Sequence, residues 1–476
     1  MLKGVMAQGR CDATLAVGLI VACLVAEAIV LHVGIDDLDE GYFVQQAVRV
    51  LHGQIPYRDF HTLYTPGLAY VHAALFGLVG GPFLLAPRLL AFVARAFTAL
   101  LLFGLARPLV RRPLWAALPG VFVLVALDDA PVRWEPHPGW LSTLFAVVAA
   151  WCLSHAPTAR WLLTAGIAAA AAYAFKQNTG AFMLAAIVVY AAVAPGNRLK
   201  RVVIPLVSFT AITLVWLGPL FVALRGDIAQ MGVLVGAVSQ TSLFSPPEWP
   251  MLVPIACLAG GLWLCRHVSD KRVRWYLLAG AALLLTQYPR MDALHLVWSA
   301  PLLLVIGAVT LDRLKPLLAG LIVLGAVALS GPTIASRLLA IQQPRVTIQQ
   351  VRYAAGLEVP EPTRRDVEGV VAEIQARTRP NEPIFVYPTS PLLYALTERP
   401  NPTRFDHLNP GAADARQIDQ VIGDLEAAGV RLVVVSDFWQ AAWGDPGPNA
   451  LLEAWLANHF TEVARYGAYR VLTSGL

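Results

Sequence analysis

The stretch Asp36-Asp37-Leu38-Asp39-Glu40-Gly41-Tyr42 places four carboxylates within five residues, directly after an apolar run from Ala13 to Val33. At the edge of a bilayer, acids at this density raise the free energy unless water, a cation or a positively charged substrate group meets them. A helix that only anchors a protein more usually ends in Trp, Tyr or Lys. We therefore interpret the remaining chain as a scaffold for this loop and for what it binds.

The composition is that of an integral membrane protein. Of the 476 residues, 57% are hydrophobic and 14% are charged, and the mean hydropathy is +0.59; soluble domains carry about 25% charged residues. The net charge of +5 does not indicate nucleic acid, because the basic residues lie in short loops between apolar runs, where they set membrane orientation. The five cysteines include no Cys-x-x-Cys pair, which excludes a cysteine-based zinc site and a disulfide framework.

The apolar runs predict an all-α polytopic bundle of about eleven transmembrane helices. We place them near residues 13–33, 86–106, 114–127, 139–155, 161–175, 180–195, 202–224, 251–265, 275–288, 294–311 and 315–333. With this number, all strongly basic loops fall on one side and the polar motifs on the other. The positive-inside rule then predicts a multi-pass protein of the cytoplasmic (inner) membrane, with its amino terminus in the cytoplasm and its carboxyl-terminal part outside, in the periplasm.

Two parts of the chain depart from this pattern of spans. In the interfacial loop 34–85, the polar and apolar spacing over 39–53 predicts an amphipathic helix at the membrane surface, and Pro66 to Leu78 is too short to cross. We therefore divide the chain into a transmembrane domain, 1–335, and a small extracytoplasmic α/β domain, 336–476. In the second domain we expect helices at 364–377, 391–396, 413–428 and 449–458, and strands at 383–387, 431–435, 461–466 and 468–473.

Three polar constellations lie on the predicted outer side. Asp39 and Glu40 are candidates for a general base or a metal ligand, with helix capping as the structural alternative. A second acidic motif suits an acceptor or a divalent metal such as Mg²⁺, Mn²⁺ or Zn²⁺, and its alternative is an ordinary proline-rich loop. Its members are Asp128, Asp129, Glu135 and His137.

The third constellation is basic. Lys176 lies between two apolar runs and Arg290 in a short polar segment, and both suit a phosphate group. Arg88, within the second span, is a further candidate for an anionic ligand. The alternatives are snorkelling of Lys176 to the interface, a local pair of Arg290 with Asp292, and a surface position for Arg88.

In these residues the sequence resembles the GT-C superfamily of membrane glycosyltransferases, near glycosyltransferase family 39, which includes protein O-mannosyltransferases and the aminoarabinose transferase of lipid A. The resemblance covers about residues 13–335, and the order and common side of its motifs are more specific than any single motif. The motifs are Asp39-Glu40-Gly41-Tyr42, Gly53-Gln54-Ile55-Pro56-Tyr57-Arg58-Asp59-Phe60, Tyr64-Thr65-Pro66-Gly67, Asp128-Asp129 and Gln287-Tyr288-Pro289-Arg290.

The resemblance implies an inverting transfer of a sugar from a polyprenyl-phosphate-sugar donor to a lipid, glycan or protein acceptor of the cell envelope. It implies Asp39 as the base and Lys176, Arg290 and then Arg58 as partners of the donor phosphate. It leaves open whether a divalent metal takes part, and it gives no role to Asp36 and Asp37, which lie outside the family's acidic pair.

Two other classes of protein compete with this interpretation. A transporter or flippase of a phosphorylated glycolipid can use the same outer face, although no polar cluster at mid-membrane and no paired broken helices are evident in the sequence. A binding or assembly protein without catalytic activity can use the carboxyl-terminal domain for contacts.

Overall fold

The computed structural model describes residues 2–125, 136–227, 231, 249–288, 293–409, 413–444 and 446–475. Fourteen helices occupy the described part of the first 342 residues. They are α1 Leu2–Val30, α2 Asp39–Leu51, α3 Gly67–Val79, α4 Leu85–Ala106, α5 Pro113–Val125, α6 Pro138–Ser154, α7 Ala159–Phe175, α8 Gln177–Val193, α9 Arg198–Ala223, α10 Leu252–His267, α11 Lys271–Leu284, α12 Ala293–Ser299, α13 Pro301–Leu311 and α14 Pro316–Gln342.

Every predicted span coincides with one of these helices or, for 294–311, with the pair α12 and α13. Within the described ranges, three helices are long and apolar enough to cross a bilayer, at Ala13–Val30, Leu85–Ala106 and Arg198–Ala223. Other apolar helices are shorter, with 10–17 residues. The helical membrane fold is therefore confirmed, whereas the number of eleven spans stays a prediction.

The main core of the bundle is an apolar cluster shared by helices that are distant in sequence. It joins Leu102 of α4, Ala146 of α6, Met183 of α8 and Leu302 of α13, all fully or almost fully buried. Trp275 of α11 lies in the same cluster and donates its indole N–H to the carbonyl of Ala150, 3.0 Å away. An indole N–H can be buried at little free-energy loss when it has such a partner.

The carboxyl-terminal part contains a mixed four-stranded sheet covered by helices on both faces. Its strands are β3 Phe385–Tyr387, β4 Leu432–Ser436, β5 Phe460–Tyr466 and β6 Tyr469–Ser474, in the order β3-β4-β6-β5, after a short antiparallel pair of β1 Val346–Thr347 and β2 Glu358–Val359. Its helices are α15 Glu361–Arg377, α16 Leu392–Thr397, α17 Ala415–Ala427, α18 Asp437–Trp443 and α19 Ala450–His459. Strands β3 and β4 are parallel, and the other neighbouring pairs are antiparallel.

The two faces of this sheet belong to two different cores. One face packs against α17 and α19 through Val433, Val435 and Leu472. The other face, with Val386, Val434 and Val471, shares a cluster with α15 and with Val44 and Ala47 of α2 and Phe76 of α3. The loop region 34–85 and the carboxyl-terminal part are thus built around one common core. The predicted boundary at residue 335 falls inside α14, and the division into two domains stays a prediction.

Helix α2 has the predicted position but a different environment. The spacing predicts polar residues facing the membrane surface, but the structure buries Gln45, Gln46 and Arg49 along with the apolar side chains. The carboxyl-terminal part covers the polar face: Arg49 donates from Nε to Asp406 Oδ1 at 2.9 Å and from a terminal nitrogen to the carbonyl of Thr403 at 2.8 Å. The helix is amphipathic because it lies between two protein layers of different polarity.

Candidate functional site

The four acids of the opening stretch have four different environments. Asp36 Oδ1 accepts hydrogen bonds from the backbone N–H groups of Leu38 at 2.9 Å and Asp39 at 3.2 Å, so it caps the start of α2. Burial, together with the charges of its three acidic neighbours, raises the pKa of Asp36 to about 7. Asp37 faces the carboxyl-terminal part, where its carboxylate accepts a hydrogen bond of 2.5 Å from the Ser390 hydroxyl.

Glu40 forms a buried ion pair with Arg88. Its two oxygens accept from Arg88 Nε and from one terminal nitrogen, both at 2.6 Å, and the side chains are 1% and 2% exposed. The other N–H groups of Arg88 donate to the carbonyls of Leu31, Val33 and Gly34 at 3.0–3.4 Å. A guanidinium has five N–H groups, and all five are used here. The pair therefore holds the carboxyl-terminal end of α1, the start of α2 and α4 together.

Asp39 lies in the first turn of α2. It is partly buried and lies four positions before Phe43, which puts both side chains on the same face of α2. The ring of Phe43 lies 5.7 Å from that of Tyr64 and 5.5 Å from that of His137, measured between ring centroids. Helical spacing thus places Asp39 about one turn (~6 Å) from Phe43, whose ring contacts Tyr64 and His137.

The motif Tyr64-Thr65-Pro66-Gly67 is docked on the junction of α7 and α8. Thr65 donates from its hydroxyl to the carbonyl of Tyr173 at 2.7 Å, and Gln177 donates from Nε2 to the carbonyl of Leu63 at 3.1 Å. A Cβ atom at Gly67 would lie 2.4 Å from the carbonyl oxygen of Ala174, so only glycine permits this approach. The motif thereby brings the first loop next to Lys176.

His137 is held in one orientation by three neighbours. Its ring stacks on Trp298 at 3.8 Å with an interplanar angle of 6°, Nδ1 accepts from the N–H of Gly139 at 2.9 Å, and Nε2 lies 3.2 Å from the Tyr64 hydroxyl. Burial, with Lys176 and His295 nearby, holds the pKa of His137 well below its usual range. The ring is therefore neutral, and since Nδ1 accepts, Nε2 carries the proton and donates to Tyr64.

Lys176 completes this cluster. It lies between α7 and α8, is 8% exposed, and its Nζ is 5.0 Å from the centroid of the Trp298 ring. An ammonium group over an indole ring is stabilised by the ring quadrupole. It also lies at the amino-terminal end of α8, where backbone N–H groups favour an anion. The structure thus brings Lys176, His137, Tyr64 and Trp298 together next to Phe43 of α2.

Other predicted residues have different placements. Arg58 is exposed, with a two-bond pair to Asp59 at 2.8 Å, and this pair lowers the pKa of Asp59. Asp128, Asp129, Glu135 and Arg290 lie outside the described residues. Residues before and after the segment that contains Arg290 are described. Gln287, before it, donates to the Ser299 hydroxyl at 2.5 Å. The ring of His295, after it, lies 5.4 Å from that of Trp298, measured between centroids.

The described residues do not assemble a metal site. They contain no group of three or more His, Cys, Asp or Glu side chains that could hold an ion. His137, a predicted candidate, has both ring nitrogens engaged, by Gly139 and by Tyr64. The prediction of a divalent metal therefore depends on Asp128, Asp129 and Glu135, which the structure does not describe.

A second buried polar cluster joins α2 to the carboxyl-terminal part. The ring of His407 packs on that of Tyr42 at 4.7 Å, and the carbonyl of Arg404 accepts from the N–H of His61 at 2.8 Å. Burial lowers the pKa of His61 and that of His407 to about 4, and burial raises the pKa of Asp406 despite its pairing with Arg49. This cluster fixes the orientation of α2 from the side opposite the bundle.

Sequence reasoning missed the roles of Tyr64, Trp298 and Asp406. Tyr64 belongs to a motif that carried the resemblance, and the strict order of polar residues in that motif was the available signal. Trp298 lies in an apolar run and Asp406 in a polar loop, and neither has a local pattern that distinguishes it. Only the fold brings Trp298 to His137 and Asp406 to Arg49.

The fold matches solved structures over almost the whole chain. ArnT from Cupriavidus metallidurans, bound to undecaprenyl phosphate, has a TM-score of 0.62 at 14% identity, covering 97% of this chain and 98% of that chain. The oligosaccharyltransferase of Archaeoglobus fulgidus, tethered to an acceptor peptide, has a TM-score of 0.54 at 10% identity, covering 97% and 74%. A second structure of that enzyme, in complex with zinc and sulfate, has a TM-score of 0.51 at 12% identity, covering 95% and 72%.

These solved structures are GT-C glycosyltransferases, which confirms the resemblance at the level of the fold. No protein-family model and no curated protein sequence matches the chain.

Proposed function

Starting from the GT-C fold of this chain, we propose that the protein is a membrane glycosyltransferase. It moves a sugar from a polyprenyl-phosphate-sugar donor to a hydroxyl of a lipid, glycan or protein acceptor on the extracytoplasmic face. The observation that supports the proposal is the packing of Phe43, which by helical spacing shares a face of α2 with Asp39, against Tyr64 and His137 beside Lys176. A base and a buried cation then lie on the same side of one helix.

The proposed reaction is a direct displacement. The acceptor oxygen attacks the anomeric carbon, the bond from that carbon to the phosphate oxygen breaks, and the acceptor proton passes to Asp39. Polyprenyl phosphate leaves with the electron pair of the broken bond, and the anomeric configuration is inverted. The charge that develops on the leaving phosphate needs fixed positive partners in a site of low dielectric constant.

Lys176 is the proposed principal partner of that phosphate. Its position against Trp298 at the start of α8 supports this role. The Tyr64 hydroxyl, which accepts from His137, belongs to the same cluster. Arg290 and the exposed Arg58 are further candidates. Arg88 is withdrawn from this set, because Glu40 and three carbonyls use its five N–H groups.

Replacement of Asp39 tests the proposal. Asp39→Asn removes the base and keeps the size of the side chain, so we expect sugar transfer to fall by about 10²–10⁴-fold, the usual contribution of a general base. Mass spectrometry of glycolipids and polysaccharide, from cells with and without the protein, identifies the product, and transfer by the purified variant is then measured. Matched insertion and thermal stability show that the variant is folded.

Asp419→Asn is the matched control, since Asp419 is exposed on α17, away from the bundle. Full transfer by Asp39→Asn overturns the role of Asp39. Movement of a glycolipid between leaflets, with no change in its mass, supports the flippase alternative and overturns the proposal.

A further inference from the structure

Asp36 and Asp37 precede the acidic pair Asp39–Glu40 and have no part in the reaction above. Acids in a loop are most simply solvated, and one acid before a helix is an ordinary cap. Here, in contrast, both side chains make hydrogen bonds within the protein, and they do so on two different sides of the loop.

Asp36 stabilises the first turn of α2 by hydrogen bonds to the backbone of that turn. Its Oδ1 accepts from the N–H groups of Leu38 and Asp39, and its backbone carbonyl accepts from the N–H of Gly41 at 3.2 Å. Because one of these bonds ends on the backbone of Asp39 itself, Asp36 fixes the backbone from which the Asp39 side chain projects.

Asp37 connects the start of the same turn to the carboxyl-terminal part. Its Oδ2 accepts from the hydroxyl groups of Ser390 at 2.5 Å and Tyr469 at 2.7 Å, and its Oδ1 lies 3.4 Å from the indole nitrogen of Trp439. These three donors come from three elements: the loop before α16, strand β6 and helix α18. A carboxylate that accepts several hydrogen bonds from neutral donors makes stronger bonds than neutral acceptors do.

We propose that Asp36 and Asp37 are positioning residues for Asp39, and that through Asp37 the carboxyl-terminal part sets the geometry of the reaction centre. The inference rests on the proposed function and gives the carboxyl-terminal part a specific task in it. The connection is short, since Asp37 lies two positions before Asp39. A displacement of a reacting group by about 1 Å can lower a rate by about 10²-fold.

Asp36 is tested with two variants of the full chain in proteoliposomes. Asp36→Asn keeps a carbonyl oxygen that can accept both N–H groups, whereas Asp36→Ala removes it. Turnover is measured as undecaprenyl phosphate released from synthetic undecaprenyl-phosphate hexoses and pentoses, with an extract of cell-envelope lipids, glycans and proteins as the sugar acceptor. We expect Asp36→Ala to lower kcat by about 10- to 100-fold with KM for the donor unchanged, and Asp36→Asn to retain kcat within about threefold.

Asp37 is tested through its partner on β6. Tyr469→Phe removes the hydroxyl that donates to Asp37, and we expect kcat to fall by about 3- to 30-fold at unchanged KM, with no further fall when Tyr469→Phe is added to Asp37→Ala. Tyr466→Phe is the matched control: it removes a similar bond of 2.9 Å to Glu373, on the neighbouring strand β5. The control variant should keep the wild-type kcat.

The outcomes separate the inference from the proposed function. If the wild-type protein releases no undecaprenyl phosphate from any of these donors and modifies no glycolipid in cells, the proposed function fails and the inference fails with it. If the wild type is active and Asp36→Ala and Tyr469→Phe both keep its kcat, the inference alone is overturned. An equal fall for Tyr466→Phe and Tyr469→Phe also overturns it, because the effect is then one of general stability.

Discussion

Two neighbouring acids of α2 lie in opposite environments. Asp39 is partly exposed and by helical spacing shares a face of α2 with Phe43, which packs against Tyr64 and His137, whereas Glu40 is fully buried and paired with Arg88. One step along a helix turns the side chain by about 100°, and that rotation separates a candidate base from a structural ion pair. The identity of the residue therefore says little about its role here, and the direction of the side chain decides it.

The largest effect on stability is expected for Glu40→Ala, because it removes one partner of the buried Glu40–Arg88 ion pair. It leaves the guanidinium of Arg88 buried without a counter-charge, and loss of one partner of a buried pair destabilises by about 3–5 kcal/mol. The measurement is the thermal midpoint of the purified protein in detergent. Glu361→Ala, which removes a solvent-screened partner of Arg364, should leave the thermal midpoint nearly unchanged.

The double variant Glu40→Leu, Arg88→Met sharpens this prediction. It replaces the pair by apolar side chains, a change that is often neutral for buried pairs, and it should recover most of the lost stability. If transfer also returns in the double variant, the pair acts only in folding. Recovery of stability without transfer would instead assign Glu40 or Arg88 to the reaction.

A smaller loss is expected for Gly41→Ala, on the side of α2 that faces the carboxyl-terminal part. An added Cβ would lie 2.6 Å from the backbone nitrogen of Leu392, so α2 and α16 must separate, and such overpacking destabilises by about 1–3 kcal/mol. The thermal midpoint measures the effect. Gly423→Ala in α17 is the matched control, because its Cβ meets nothing within 4 Å and alanine favours the helix. Equal behaviour of the two variants would contradict the close packing of α2 and α16.

The smallest effect is expected for the pH dependence of stability, through His407 at the interface between α2 and the carboxyl-terminal part. In the folded protein burial lowers the pKa of His407 to about 4, below the value of about 6.5 for an unperturbed histidine. The unfolded chain therefore binds more protons between these two values, and stability falls as the pH drops from about 6.5 towards 4.

Thermal midpoints at about pH 7.5 and pH 5 measure this effect. The decrease should be smaller for His407→Gln, by about 1–2 kcal/mol at pH 5, and unchanged for His459→Gln on the exposed face of α19. An identical decrease in all three proteins would exclude His407 as its source.

The sequence predicted the elements of this protein well. The bounds of α4 and α6 were expected within one residue, and those of β4, β5 and β6 within one or two. These bounds are predictable because apolar runs, capping residues and the alternation of apolar and polar residues are local patterns. The residues that form such a pattern are the residues of the element itself. The GT-C resemblance likewise depended on short motifs whose order is readable along the chain.

The partners of the charged residues were not readable in this way. Glu40 and Arg88 are 48 positions apart, Arg49 and Asp406 are 357 apart, and Asp37 and Tyr469 are 432 apart. No local pattern marks such pairs, because each is created by the packing of distant elements. For the same reason the polar face of α2 predicted contact with the membrane surface, whereas a layer of protein covers it.

The sequence by itself determined a helical membrane protein with an acidic first loop, a carboxyl-terminal sheet and the motifs of a GT-C fold, since these follow from local composition and spacing. Only the tertiary structure decided which acid neutralises Arg88 and which ones hold the loop in place. Those assignments depend on the direction of each side chain from α2 and on burial by elements hundreds of residues away, and both properties arise only when the whole chain has packed.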